Sequence, residues 1–216
     1  MVISLAGASS TGKTTQISSF ERVDSIMGLE VVTHPEYPRI LYEEKYKDQY
    51  KSFNDILMDP KAALIFQLEV CEQSLEVLDK AYRDKDKIHI IDGSVISSMV
   101  YLCLNYSNAS PEVQTQYGTQ FVNMMERLEN SLYKVDRIIR LHPFNTEMMS
   151  GVVNDGFRPQ TYSHRRFYEL KLFDMVCGLA HDKCNNVFSD SVTVRFEEIM
   201  STITYLIKYR KVMNKT

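Results

Sequence analysis

Eight residues near the start of the chain, Gly7 to Thr14, constrain its fold more than any other stretch. They read Gly-Ala-Ser-Ser-Thr-Gly-Lys-Thr and match the pattern Gly-x-x-x-x-Gly-Lys-[Ser/Thr] at every fixed position. The apolar run Val2 to Ala6 precedes them, and a segment compatible with a helix, Thr14 to Arg22, follows. This context predicts a strand, a loop and a helix, with the loop amides and the helix N-terminus arranged to bind phosphate.

The residue types in this loop suit a nucleoside triphosphate. Its two glycines allow backbone angles and a close approach that a Cβ atom would prevent. Lys13 is expected to reach the β- and γ-phosphates of ATP, and Thr14 to place its hydroxyl on Mg²⁺. A glycine- and serine-rich turn carrying a surface lysine is the alternative, but spacing, residue types and flanks together favour the phosphate loop. The residues expected to bind the nucleotide are Gly7, Ser9, Ser10, Thr11, Gly12, Lys13, Thr14 and Thr15.

Length and composition set broad limits. A chain of 216 residues suits one α/β domain spanning residues 1–216. With 25 basic and 28 acidic residues the net charge is −3, so charge alone implies no surface for a polyanion. The four cysteines form no Cys-x-x-Cys pair and are expected to be reduced thiols. No apolar stretch approaches ~18 residues, so we expect a cytoplasmic protein without a signal peptide or membrane span.

Apolar runs alternate with helical patterns along the chain. Pro60 and Pro111 stand where first helical turns would begin, ahead of helical patterns over residues 62–82 and 112–132. Strands alternating with helices predict a doubly wound parallel sheet that binds ligands at the carboxyl ends of its strands. The candidate strands are Val2–Ala6, Leu29–Thr33, Lys87–Asp92, Arg137–His142 and a weaker one near Asn186–Ser189.

A carboxylate and a guanidinium follow the second candidate strand, in the segment His34-Pro35-Glu36-Tyr37-Pro38-Arg39. Glu36 is expected either to accept the proton of an attacking hydroxyl or to hold a sugar hydroxyl. Arg39 is expected to orient an anionic acceptor or to pair with Glu36. The alternative is a surface turn with a solvated ion pair.

Asp92 lies directly at the end of the third candidate strand. An acid at this position can hold a water molecule on Mg²⁺ or act on the acceptor hydroxyl, so Asp92 is a candidate metal-binding and catalytic residue together with Thr14. The alternative is an N-cap for the helix that starts near Ser94, a role that both Asp and Ser fill well.

Arginines follow the fourth candidate strand in a segment that we expect to form a helical lid over residues 143–166. Phosphoryl transfer spreads negative charge over the equatorial oxygens, and a lid that delivers arginines would stabilise it. Arg158 is the first candidate, and Arg165 or Arg166 on the next helix is the second. Two arginines on an exposed helix can also serve solubility alone.

Phe66 and Gln67 fall within the helical pattern over residues 62–82. Gln67 offers a donor and an acceptor to the edge of a base, and Phe66 could stack on a ring. Both are therefore candidate acceptor-binding residues, with Glu36 and Arg39. Aromatic residues at helical spacing are more often part of a core.

With these residues placed, the chain resembles the P-loop nucleoside and nucleotide kinase superfamily over most of its length. The stretch Asp92 to Tyr101 resembles thymidylate kinase-like members, although Gly93 stands where those relatives usually carry arginine. Glu36-Tyr37-Pro38-Arg39 and Asp155-Gly156-Phe157-Arg158 resemble ribosylnicotinamide kinase-like members. The resemblance implies a five-stranded parallel sheet of order 2-3-1-4-5, ATP and Mg²⁺ as co-substrates, and transfer to a hydroxyl or phosphate of a nucleoside-like acceptor.

These observations favour an ATP-dependent phosphotransferase acting on a small nucleoside or nucleotide acceptor. A kinase acting on a base or an end of a nucleic acid is a second hypothesis, because Gly93 leaves room for a larger acceptor; the net charge of −3 argues against it. An ATP-hydrolysing regulatory switch is a third hypothesis. The apolar residues of segments 95–106 and 112–132 would suit a homodimer interface or the core equally well.

Overall fold

Within the described residues, one six-stranded sheet forms the centre of the protein. The computed structural model describes residues 1–9, 11–143 and 163–213, with the backbone alone for residues 94, 163–166 and 181. The strand order is β2-β3-β4-β1-β5-β6. The strands are β1 Val2–Ala6, β2 Ser25–Ile26, β3 Leu29–His34, β4 Ile88–Asp92, β5 Arg137–Leu141 and β6 Cys184–Val187.

The five strands predicted from the sequence all occur, and they are parallel in the predicted order 2-3-1-4-5. β2 was not predicted. It is a two-residue strand that pairs antiparallel with β3 through a hairpin turn. The central residues of that turn, Met27 and Gly28, have φ angles of 53° and 84°. Positive φ at both positions is what a tight two-residue hairpin requires.

Helices cover both faces of the sheet because β1 directs alternate side chains to opposite sides. Val2 and Ala6 pack with the helices over residues 60–83, 94–108, 111–131 and 163–179, whereas Ile3 and Leu5 pack with those over 13–20 and 192–213. The central strands β1 and β4 are buried on both faces, which explains why they appear in the sequence as mainly apolar runs. The helices are α1 Lys13–Phe20, α2 Tyr37–Leu41, α3 Phe53–Met58, α4 Pro60–Arg83, α5 Ser94–Asn108, α6 Pro111–Ser131, α7 Ser163–Leu179 and α8 Val192–Met213.

Both long helices predicted from proline positions are confirmed. α4 and α6 begin at Pro60 and Pro111, where a missing backbone N–H costs nothing. The side chain of Asp59 accepts hydrogen bonds from the first turn of α4, and Ser110 does the same for α6. None of the helices in the described part of the chain is both long and apolar enough to cross a membrane. Most of the predicted lid over residues 143–166 lies outside the described residues.

Candidate active site

The phosphate loop joins β1 to α1, at the carboxyl edge of the sheet. Gly7 has a φ of 145°, and a Cβ atom there would lie 2.6 Å from the carbonyl oxygen of Leu141 and 2.8 Å from Oγ1 of Thr11. Gly12 is the N-cap of α1, with a φ of 85°. The loop therefore turns tightly against the end of β5, and only glycine fits at position 7.

Lys13 lies over the backbone of this loop. Its side chain is buried, and Nζ donates hydrogen bonds to the carbonyl oxygens of Gly7, at 2.9 Å, and Ala8, at 3.1 Å. The Thr11 hydroxyl also donates to the Ala8 carbonyl oxygen, at 2.9 Å. The ammonium group is thus held inside the loop, at the position from which a lysine can contact bound phosphate.

Asp92, at the end of β4, contacts the phosphate loop. The Thr14 hydroxyl donates to Oδ2 of Asp92 at 2.8 Å, and Asp92 is 2% exposed. Gly93, rather than Asp92, occupies the N-cap position of α5, with a φ of 85°. A residue with a Cβ, such as arginine, would be strained at this angle.

Glu36, Gln67 and Asp92, three of the residues singled out from the sequence, line one cleft beside the phosphate loop. The cleft is narrow, with an accessible volume of about 20 Å³, and it is partly open to solvent. Among the described residues that line the cleft, two are carboxylates and none is Lys, Arg or His. The remaining lining residues are Tyr37, Pro38, Val70, Ser74, Gly93, Ser97, Ser98 and Tyr101.

Ser97 adds a polar group to this cleft, and no motif in the sequence marks it. It is 7% exposed, and its hydroxyl has no hydrogen-bond partner within the described part of the chain. The neighbouring Ser98 hydroxyl, by contrast, donates to the hydroxyl of Ser74 at 2.9 Å. A buried polar group without a partner is costly, so the Ser97 hydroxyl is suited to bind a ligand in the cleft.

Two of the predicted acceptor-binding residues lie elsewhere. Phe66 is 1% exposed in a hydrophobic cluster, where Tyr46 and Phe53 pack edge-on against it at centroid distances of 5.1 and 5.2 Å. The packing alternative fits this position better than stacking on an acceptor. Arg39 is exposed on α2, outside the residues that line the cleft.

The structure describes only some of the other residues predicted to bind the nucleotide or the transferring phosphate. Ser9 lies in the loop, and Thr15 is exposed on α1. Ser10 and Arg158 lie outside the described residues. The helix predicted to carry positions 165 and 166 is confirmed as α7. For these two positions the structure describes the backbone alone.

Arg195 on α8 hydrogen-bonds to the backbone of the phosphate loop. It was not predicted from the sequence. Its guanidinium is 2% exposed and donates to three carbonyl oxygens: Ser189 at 2.5 Å, Thr11 at 2.5 Å and His142 at 2.6 Å. Burial lowers its pKa from the ordinary value. Because its partners are 6 to 184 positions away, no local pattern signals this role.

Glu169 on α7 contacts the phosphate loop from the other side. Its Oε1 accepts the backbone N–H of Ser9 at 2.7 Å and the hydroxyl of Tyr101 at 2.6 Å. The hydroxyls of Ser9 and Tyr101 lie 3.0 Å apart and share a hydrogen bond. The only sequence signal is that Glu169 follows the two candidate arginines at helical spacing.

A histidine pair lies on neighbouring strands, β3 and β4. Nε2 of His34 and Nδ1 of His89 are 3.0 Å apart and share a hydrogen bond. Burial, and to a smaller extent the neighbouring His89, lower the pKa of His34 to about 4. Among the described residues, no group of three or more His, Cys, Asp or Glu side chains could hold a metal ion.

The parallel sheet, the glycine-dependent loop and the contact between Thr14 and Asp92 define a P-loop nucleotide-binding protein. Residues 2–187 match the family described as AAA domain, so the chain belongs to that family. No curated protein sequence matches the chain.

Solved structures share the fold. Deoxyadenosine kinase from M. mycoides with bound dCTP is 17% identical, with a TM-score of 0.63 over 95% of this chain and 100% of that one. The structure of the same enzyme with bound dATP has the same identity and TM-score, over 94% of this chain and 99% of that one. NadR protein in complex with NR is 18% identical, with a TM-score of 0.58 over 94% of this chain, which spans only 50% of NadR. The resemblance to P-loop kinases is confirmed for the fold.

Proposed function

We propose that the chain is an ATP-dependent phosphotransferase that moves a γ-phosphoryl group to a hydroxyl of a nucleoside-like acceptor. The observation that carries the proposal is the hydrogen bond between Thr14 and Asp92. It joins the loop that would hold the donor phosphates to the cleft that would hold the acceptor. A phosphoryl group transferred between the two would pass beside the Asp92 carboxylate.

The donor half consists of the loop amides, Lys13 and Thr14. The amides and the N-terminus of α1 supply positive dipoles, and Lys13 supplies a charge for the β- and γ-phosphates. Mg²⁺ prefers hard oxygen ligands, and the adjacent Thr14 hydroxyl and Asp92 carboxylate are such groups. When bound there, the ion would neutralise charge on the donor phosphates.

The acceptor half favours an uncharged nucleoside over a nucleotide. Glu36 and Asp92 both line the cleft, and either could accept the proton of the attacking hydroxyl. Two like unit charges 4 Å apart repel by about 4 kcal/mol at an effective dielectric constant of 20. A monophosphate beside two carboxylates would meet this repulsion, whereas a sugar and a neutral base would not. Gln67 and Ser97 supply hydrogen bonds for the sugar or base.

Arg158, with Arg165 or Arg166, is proposed to stabilise the transferring group from a lid over residues 143–166. Catalysis would then consist of positioning and charge stabilisation within one domain. No covalent intermediate on the enzyme is needed.

The test is ADP formation by purified protein with ATP and Mg²⁺ across a panel of acceptors. The panel contains nucleosides, their 5′-monophosphates, oligonucleotides with free hydroxyl ends, and a sample without acceptor. We expect ADP formation that depends on a nucleoside, with monophosphates poorer by at least tenfold. Asp92→Asn is expected to lower kcat by about 10² to 10⁴. The matched control is Asp86→Asn, an exposed acid that precedes β4 and should leave kcat unchanged.

The same panel separates the alternatives. Phosphate found only on oligonucleotides would support the nucleic-acid hypothesis, and ADP formed equally without acceptor would support an ATP-hydrolysing switch. Absence of acceptor-dependent ADP across the panel would refute the proposal.

A further inference from the structure

Glu169 is a buried carboxylate that has no role in the proposed donor half or acceptor cleft. Its side chain is 2% exposed, and a buried carboxylate costs free energy unless hydrogen bonds compensate it. One oxygen, Oε1, accepts both the Ser9 amide and the Tyr101 hydroxyl. These bonds join α7, the phosphate loop and α5 at a single point.

The same contact fixes which face of α7 points to the loop. Phe173, one helical turn after Glu169, is 1% exposed and packs edge-on against the Tyr101 ring at a centroid distance of 6.1 Å. Residues three and four apart in a helix share a face. Positions 165 and 166, which are four and three residues before Glu169, therefore lie on the face of α7 that Glu169 directs toward the phosphate loop.

We propose that Glu169 is a positioning residue of the phosphotransfer site. Through Ser9 and Tyr101 it holds the arginine-bearing face of α7 against the phosphate loop. This inference rests on the proposed function, and it adds the group that sets where the candidate arginines stand relative to the donor phosphates. Because misplacing a charge-stabilising group by about 1 Å can cost roughly 100-fold in rate, a hydrogen-bonded anchor one turn away would control kcat.

Kinetics of three variants test the role. Glu169→Ala removes the acceptor oxygen and should lower kcat by about 10- to 100-fold while KM for ATP changes less than threefold. Glu169→Gln keeps an oxygen that can accept both bonds, so it should retain at least a third of the wild-type kcat. Lys171→Ala, at an exposed position of the same helix, is the control and should match wild type. A purely structural role predicts instead that kcat per folded molecule is unchanged in Glu169→Ala, and that result would overturn the proposal.

Coupling between residues gives the second readout. If Glu169 acts through the arginines, Glu169→Ala should cost little more in a background that already carries Arg165→Ala and Arg166→Ala. Fully additive losses in kcat would show that Glu169 acts independently of them and would contradict the proposal.

Amide hydrogen exchange separates failure of this inference from failure of the proposed function. Glu169→Ala should increase exchange at backbone amides of residues 166–170, and Lys171→Ala should not. If wild type forms no acceptor-dependent ADP, the proposed function fails while the exchange result still tests the anchor. Unchanged exchange in Glu169→Ala would refute the anchor whatever the activity.

Discussion

Replacing Arg195 with alanine should be among the most destabilising single changes in this chain. The guanidinium donates to the carbonyl oxygens of Thr11, His142 and Ser189, which belong to three separate loops. A hydrogen bond to a charged group contributes about 1.5–3 kcal/mol, so three such bonds set an upper limit of roughly 4.5–9 kcal/mol. The buried cation offsets part of this through its own desolvation, as its lowered pKa indicates, and water can reach some of the vacated carbonyls. We therefore expect a loss of about 3–5 kcal/mol in the free energy of unfolding.

Urea denaturation of Arg195→Ala measures this loss as a lower midpoint with an unchanged slope. For a domain of this size the melting temperature should fall by roughly 6–20 °C. The matched control is Arg210→Ala on the same helix. Arg210 is half exposed and pairs with Asp136, so its loss should cost less than about 1 kcal/mol. Equal midpoints for the two variants would refute the argument that Arg195 joins the three loops. Arg195→Lys should fall between wild type and alanine, since one ammonium group cannot reproduce the planar fork of donors.

Three further predictions concern the loop, the cleft and the histidine pair. Gly7→Ala should cost about 2–5 kcal/mol of stability and abolish MgADP binding in calorimetry, because its Cβ would overlap the carbonyl at the end of β5. Gly178→Ala, with open space around its Cβ in α7, should instead stabilise the fold by about 0.5–1 kcal/mol. A change of the same sign in the free energy of unfolding for both variants would contradict this reasoning. Ser97→Ala should raise KM for the acceptor about fivefold without loss of stability, whereas an unchanged KM would exclude Ser97 from the acceptor site. The lowered pKa of His34, about 4, means that the unfolded chain takes up a proton at higher pH than the folded one. The free energy of unfolding should therefore fall by about 1–2 kcal/mol as pH drops from about 6.5 to 4, after allowance for solvent screening. Denaturation of His34→Gln at both pH values should show that this loss of stability at low pH is absent. If the variant loses as much stability as wild type, groups other than His34 cause the pH dependence.

The centre of the sheet could be predicted because β1 and β4 are buried on both faces, as β5 is over most of its length. Burial of this kind requires an unbroken apolar run, and such runs are visible without knowledge of the partners. Pro60 and Pro111 were informative for a similar reason, since the effect of proline on a helix start is local. β2 could not be predicted: two residues carry no periodicity, and its turn uses Met27 at a positive φ, which methionine seldom adopts.

Residues of the candidate site could be predicted where they follow the end of a strand. Asp92 and Glu36 were selected because strand ends meet at one edge of a parallel sheet, and both line the cleft. Arg195 and Glu169 were missed because each contacts the phosphate loop from more than 150 positions away. Phe66 shows where helical spacing misleads: its position on α4 suggested a ring that stacks on a base, but Tyr46 and Phe53, from other segments, pack against it.

Arg195 and Glu169 bind opposite sides of the phosphate-loop backbone, and this difference separates their roles. Arg195 donates to a loop carbonyl, at Thr11, whereas Glu169 accepts a loop amide, at Ser9. Phosphate binding uses the amide side, because N–H groups carry the positive end of each peptide dipole. A cation bound to the carbonyl side reinforces that orientation and does not occupy a loop amide, so its loss should appear mainly as lost stability. The anion on the amide side holds Ser9 and α7 together and so positions the candidate arginines, and its loss should appear mainly in kcat. Arg195→Ala should therefore lower mainly the free energy of unfolding, and Glu169→Ala mainly kcat, although both residues contact the same short loop.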